Sequence, residues 1–137
     1  MNDFERLLNS NFPFVEDLLS KYGEFFPLAC AVKINDEIAQ IGTFDRNEKP
    51  ESANVLANLK QGLKANQNDY RTVMIFYNIL VKVDQTNEKK DAVAVFAESK
   101  EEESSYIFYY PYKFTQESGL SWQEPWKEIL KKEIFNE

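Results

Sequence analysis

The sequence predicts an α+β fold built on a mainly antiparallel five-stranded sheet, and three observations carry that prediction. Apolar residues recur at three- and four-residue steps near both ends of the chain and once between them, which is the periodicity of amphipathic helices. Five other stretches are apolar with the two-residue alternation of strands. The connections between the first two strands, and among the last three, are short enough for hairpins, so these neighbours run antiparallel. The predicted order is α-β-β-α-β-β-β-α, a single layered domain over 1–137 with the helices packed on the sheet.

The first helix covers roughly 2–22, with Phe4, Leu7, Leu8, Val15, Leu18, Leu19 and Tyr22 as its apolar stripe. Pro13 interrupts it: either a helix restarts there with Asn11 as its cap, or one helix kinks. Gly23 fits the left-handed position just past a helix end. The first strand follows, with Leu28, Cys30, Val32 and Ile34 on a bulky face and Ala29, Ala31 and Lys33 on the other. Asn35 and Asp36 both tolerate positive φ and suit a two-residue hairpin turn. A second strand returns over 37–44. Pro50 is placed to open the second helix, whose stripe is Val55, Leu56, Leu59 and Leu63, and Asn66 to Asp69 end it.

The third strand, 71–83, is apolar on both faces near its middle: Val73, Ile75 and Tyr77 on one, Met74 and Phe76 on the other. That pattern belongs to a central strand covered on both sides or bent around the core. Asp84 to Lys90 reads as a polar turn, 91–99 as the fourth strand, Lys100 to Glu103 as a solvated hairpin loop, and 105–114 as the fifth strand. Pro111 argues for an edge position or a strand end at that point. From Ser121 a third helix is predicted: Ser121 and Glu124 have capping-box spacing, and Trp126, Ile129, Leu130 and Ile134 form a stripe. Lys127, Lys131 and Lys132 lie off that stripe.

With 137 residues, 43% of them apolar and 15% aromatic, the chain can bury a core without a metal or disulfide staple. The net charge of −7 repels phosphate backbones and anionic bilayers. Neither nucleic acid nor membrane is expected as a partner; the acidic balance favours solubility first, and a basic protein partner or a second copy second. A single cysteine and an N-terminus without an apolar signal region lead to the expectation of a cytoplasmic protein.

The chain contains no histidine, which removes Ser-His-Asp and Cys-His couples and the usual zinc sites. None of its four glycines belongs to a phosphate-binding loop. Cys30 reads as an inert buried thiol. Glu16 with Asp17, and Asp36 with Glu37, read as solvated carboxylates. Asp84, Asn87, Glu88 and Asp91 loosely resemble a calcium loop, but the glycine such a loop needs is missing. No catalytic residue, cofactor or metal ligand is assigned, and an enzyme is the less favoured reading. The unusual feature is the aromatic strand Tyr106, Phe108, Tyr110 and Tyr112, with Trp122 and Trp126 after it. Alternating aromatics most often form core. Half-buried, Tyr106, Phe108, Tyr110, Tyr112 and Trp122 would instead form a binding surface for a protein. Stacking on bases is the weakest of the three, since no basic residues interleave.

The stretch from Leu18 to Ala29, with Tyr22-Gly23 and Phe25-Phe26-Pro27 within it, resembles the helix-to-strand passage of a family of small bacterial proteins of unknown function. Asp91 to Val95 and Tyr110-Pro111-Tyr112 are similar to that family's late strands. The resemblance implies a bacterial cytoplasmic domain and carries no catalytic residues. By type rather than motif, the chain also looks like immunity proteins that neutralise secreted toxins. The predicted element order occurs in profilin-like and roadblock-like domains, an analogy that implies no shared function. Two readings of function follow. The first is a non-enzymatic protein-binding or interaction domain, immunity-like or homodimeric. The alternative is a small-molecule-binding or enzymatic domain with a pocket between sheet and helix, where Ala29 and Ala31 beside Gly42 leave room.

Overall fold

The computed structural model describes residues 2–25, 27–41, 52–83, 88–117 and 119–135. Helix α1 (Asp3–Tyr22) is one continuous helix with Pro13 inside it. Burial of Leu7, Val15 and Leu19 along its stripe offsets the hydrogen bond that the proline removes. Asn11 is therefore not a cap. It is buried in mid-helix, and its Nδ2 donates to the Leu7 carbonyl at 2.9 Å. The true N-cap is Asn2, whose Oδ1 accepts from the Glu5 N–H at 2.8 Å. Gly23 takes the expected left-handed position (φ 76°), and its N–H donates to the Leu19 carbonyl.

Strands β1 (Leu28–Lys33) and β2 (Ile38–Ile41) pair antiparallel. Their loop is one residue longer than expected, since the Lys33 N–H bonds the Glu37 carbonyl across Ile34-Asn35-Asp36. Among the described residues other than glycine, only Asp36 has positive φ (78°). The expected continuation of β2 to 44, together with Gly42 and Pro50, lies outside the described residues. Helix α2 (Ser52–Ala65) presents Val55, Leu59 and Leu63 inward and passes through a short 3-10 turn, Gln67–Asp69, into the sheet.

The sheet is completed by β3 (Tyr70–Val83), β4 (Glu88–Ser99), β5 (Ser105–Thr115), β6 (Gly119–Trp122) and β7 (Trp126–Leu130). The order is β2-β1-β3-β4-β5-β6, with β7 also on β5, and every pairing is antiparallel. As its two apolar faces predict, β3 is central, between β1 and β4. The loop at 100–104 is the expected solvated hairpin turn, with Lys100 to Glu103 exposed. The polar turn expected from Asp84 to Lys90 is shorter, because Glu88 to Lys90 already pair with β3 as the start of β4; its remaining residues, 84–87, lie outside the described residues.

Both faces of the sheet are covered. On one, Cys30, Val32, Met74, Phe76, Val93, Val95 and Ala97 pack beneath α1. On the other, Ala29, Ala31, Val73, Ile75 and Phe96 pack against Val55, Leu59 and Leu63 of α2 and against Ile134. The small face of β1 thus lets α2 lie close: Ala29 and Ala31 are in the core, 1% and 0% exposed.

The C-terminal part corrects the sequence reading. The predicted third helix from Ser121 is two strands, so the sheet has seven strands rather than five and the described helices number two rather than three. Ser121 and Glu124 do not form a capping box, because Ser121 lies inside β6 opposite Lys113. The order analogy with profilin-like and roadblock-like domains ends with that helix, since it depended on a closing α element.

Candidate functional site

The five aromatic residues singled out in the sequence come together under α1. Even-numbered residues of β5 point to one face, and the antiparallel register puts Trp122 opposite Tyr112. Phe4 of α1 meets Tyr106 and Phe108 edge-on at 6.1 and 6.2 Å. Phe12 lies 5.1 Å from both Tyr110 and Trp122. Tyr112 and Trp122 are 5.7 Å apart, and Tyr112 is buried while the other four are half-buried. The Tyr112 hydroxyl accepts from Asn78 Nδ2 at 2.6 Å, and burial holds the Tyr110 and Tyr112 phenols above their usual pKa. The row is thus mainly the seat of α1, with its outer margin reaching solvent.

That margin is built by the chain after β5. Residues 119–130 return along a single edge of β5, first as β6 against 112–115 and then as β7 against 105–109. From the Tyr112–Trp122 pair to the Tyr109–Trp126 pair there are three steps along β5 but four along the return strand. The extra residue is a bulge at 123–125, next to Pro125. Here the Gln123 N–H donates to the Pro111 carbonyl at 2.8 Å. A strand residue points its N–H and C=O to the same side, so the donor Pro111 lacks would have faced the bulge. Pro111 is therefore tolerated inside the strand rather than marking its edge or end.

The bulge reverses which side chains share a face. Trp122 lies with Tyr112, yet Lys127 and Ile129 are the residues opposite Phe108 and Tyr106. Trp126 turns to the other face and stacks on Tyr109 at 5.1 Å. Phe108, Tyr110, Pro125, Trp126 and Lys127 line a shallow recess of about 240 Å³ at this point. Trp126 is 38% and Ile129 64% exposed, and among the described residues β7 pairs on one side only. Lys127 Nζ sits 5.4 Å above the Tyr106 ring. The Tyr109 phenol is raised well above its usual pKa, first by burial and then by its hydrogen bond to the Glu128 carboxylate. Sequence reasoning named Trp126 among the aromatics but placed it, with Ile129, on the apolar stripe of a helix.

Beyond Leu130 the chain crosses onto the α2 face, held by a residue the sequence did not single out. Glu98 is fully buried in β4, and its carboxylate accepts from the N–H groups of Glu133 (2.7 Å), Ile134 (2.9 Å) and Phe135 (2.6 Å). This arrangement seats Ile134 in the core. The only hint in the sequence was one acidic residue on an inward phase of an apolar strand.

A second polar cluster joins three elements at the start of α1. Arg71 donates to both carboxylate oxygens of Asp3 (2.9 and 3.0 Å) and also bonds Asp36. Thr72 Oγ1 donates to Asp3 at 2.7 Å, and Arg6 bonds both the side chain and the backbone carbonyl of Asp36 at 2.9 Å. The Arg71 hydrogen bonds hold the Asp3 carboxyl below the usual carboxylate range, against an opposing effect of burial. A carboxylate with a depressed folded pKa contributes stability above its unfolded value near pH 4, and loses it as pH falls through the folded value. Asp3→Asn is expected to cost about 1 kcal/mol at pH 7, and to flatten the loss of stability below about pH 4 in urea titrations. Two arginines against two aspartates leave this cluster charge-balanced, which makes it a structural tie.

Cys30 is buried as expected, its Sγ 3.1 Å from Asn11 Nδ2, with the thiol pushed up to about 12 by burial. Folded protein at pH 8 should resist alkylation by iodoacetamide and react only when denatured, a difference readable by mass spectrometry. Glu16 and Asp17 are exposed on α1, and Asp17 pairs with Lys21 at 3.0 Å. Among the described residues no group of acidic or cysteine side chains is placed to hold a metal, and no helix is long and apolar enough to cross a membrane. No known family, curated protein or solved structure matches this chain.

Proposed function

We propose that this protein is a non-enzymatic binding domain that engages a protein partner, in the manner of an immunity protein. The observation that supports this most is the β7 edge, which has no neighbouring strand on its outer side among the described residues and presents Trp126 and Ile129 to solvent beside the aromatic row. Aromatic side chains with one packed and one exposed side are the residues that most often anchor interfaces. The net charge of −7 favours a basic partner and fast encounter with it. The test is co-purification of the tagged full chain from its own cells, with light scattering of the product. A stoichiometric complex supports the reading, and a strict monomer that captures nothing refutes it.

A further inference from the structure

We infer that β7 is a docking edge that an extended segment of another protein joins as an additional antiparallel strand. This rests on the protein-binding reading above and adds where the partner binds and what its segment looks like. The outer side of Trp126–Leu130 has no strand beside it among the described residues, and 126–129 are all exposed. Such an edge carries a row of backbone donors and acceptors that a second chain can satisfy.

The side chains state what that chain must offer. Lys127 and Ile129 point to the α1 face, and Trp126, Glu128 and Leu130 to the other. Directly opposed residues of an antiparallel pair share a face, and like charges there are destabilising. The segment therefore carries an acidic residue opposite Lys127, a basic one opposite Glu128, and apolar residues opposite Trp126, Ile129 and Leu130. Read in its own direction this is apolar-apolar-basic-acidic-apolar.

A second copy of this chain does not meet that pattern. Two copies extending one sheet pair about a two-fold axis centred on a single residue. Centred on residue 128, Glu128 faces Glu128; centred on 127, Lys127 faces Lys127; centred on 126, Glu128 faces Glu124; centred on 129, Lys127 faces Lys131. Registers further along are closed, because Lys131 O is bonded to Ser105 Oγ and the backbone of 133–135 is bound to Glu98.

The experiment titrates isotope-labelled full chain with two synthetic peptides, one with the core Val-Val-Lys-Glu-Val and one with its two charges exchanged, followed by NMR. The first peptide should shift and protect the amides of 126–130 and bind about fivefold more tightly than the second, from two charge pairs across the strands. The double variant K127E/E128K should reverse that order. Equal binding of both peptides, shifts located elsewhere, no binding, or protection of 126–130 by self-association each overturn the inference. If the co-purified complex forms equally with K127E/E128K, the edge is wrong while the protein-binding reading stands; if no complex forms in either experiment, both fall.

Discussion

Glu98→Ala is expected to lower stability by about 2–4 kcal/mol, because it orphans three backbone donors that the wild-type carboxylate satisfies at once. Two routes are open to the variant. The N–H groups of Glu133, Ile134 and Phe135 can stay buried without partners, or the segment can detach and regain water. Detachment withdraws Ile134, which is 1% exposed, from the cluster under α2. Either route costs more than an ordinary surface hydrogen bond. Glu98→Gln retains one acceptor oxygen but turns an amide group toward a backbone donor, so it should fall between wild type and alanine. Urea denaturation measures the loss. Amide exchange at 133–135 separates the routes, since detachment speeds exchange there while the rest of β4 stays protected. A wild-type midpoint for Glu98→Ala would show that the carboxylate holds nothing.

Phe76→Ala should cost about 3–5 kcal/mol, the range for removing a large, fully buried ring. Phe76 is 0% exposed in the central strand, opposite Leu28 of β1 and Val95 of β4, with Phe12 of α1 at 6.2 Å. Neighbours on three elements cannot all collapse into the space, so a cavity remains. Phe114→Ala is the contrast. Phe114 is 49% exposed and its ring contact is with Tyr112, so its loss should stay within about 1 kcal/mol. Similar midpoints for the two variants would mean that the centre of the sheet is not the packed region described.

The parts legible in the sequence are those where one local pattern runs unbroken. Helix α2, the two-faced strand β3, the Gly23 stop and the loop at 100–103 all follow from periodicity and turn chemistry. The return strand was not legible because its bulge breaks the two-residue alternation. One inserted residue moves the apolar positions from Trp122 to Trp126, Ile129 and Leu130, steps of four, three and one, which mimic a helical stripe. Pro111 was read as an edge position or a strand end for the same reason, since the bulge that accommodates it lies on a partner absent from its local sequence. At the candidate site, alternation alone brought Tyr106 to Tyr112 onto one face. It could not show that Phe4 and Phe12 would roof them, which depends on pairing residues about a hundred positions apart. Glu98 illustrates the same limit, because its partners are backbone groups at 133–135 that carry no side-chain signal.

The order of strand pairing also has a kinetic consequence. From β3 to β7 every pairing joins segments that are close in sequence, whereas β1 meets β3 across the whole of α2, with Leu28 opposite Phe76. Closing long loops is slow because their entropy is lost before any contact is gained. We expect the contiguous run of hairpins to assemble first and the β1–β3 seam to close late. In refolding experiments Val95→Ala should then slow folding, while Val32→Ala should chiefly speed unfolding. Equal effects on both rates at Val32 would place the seam in the nucleus instead. The N-terminal third of the chain is thus a late arrival, fastened onto a sheet whose remaining strands can find one another without it.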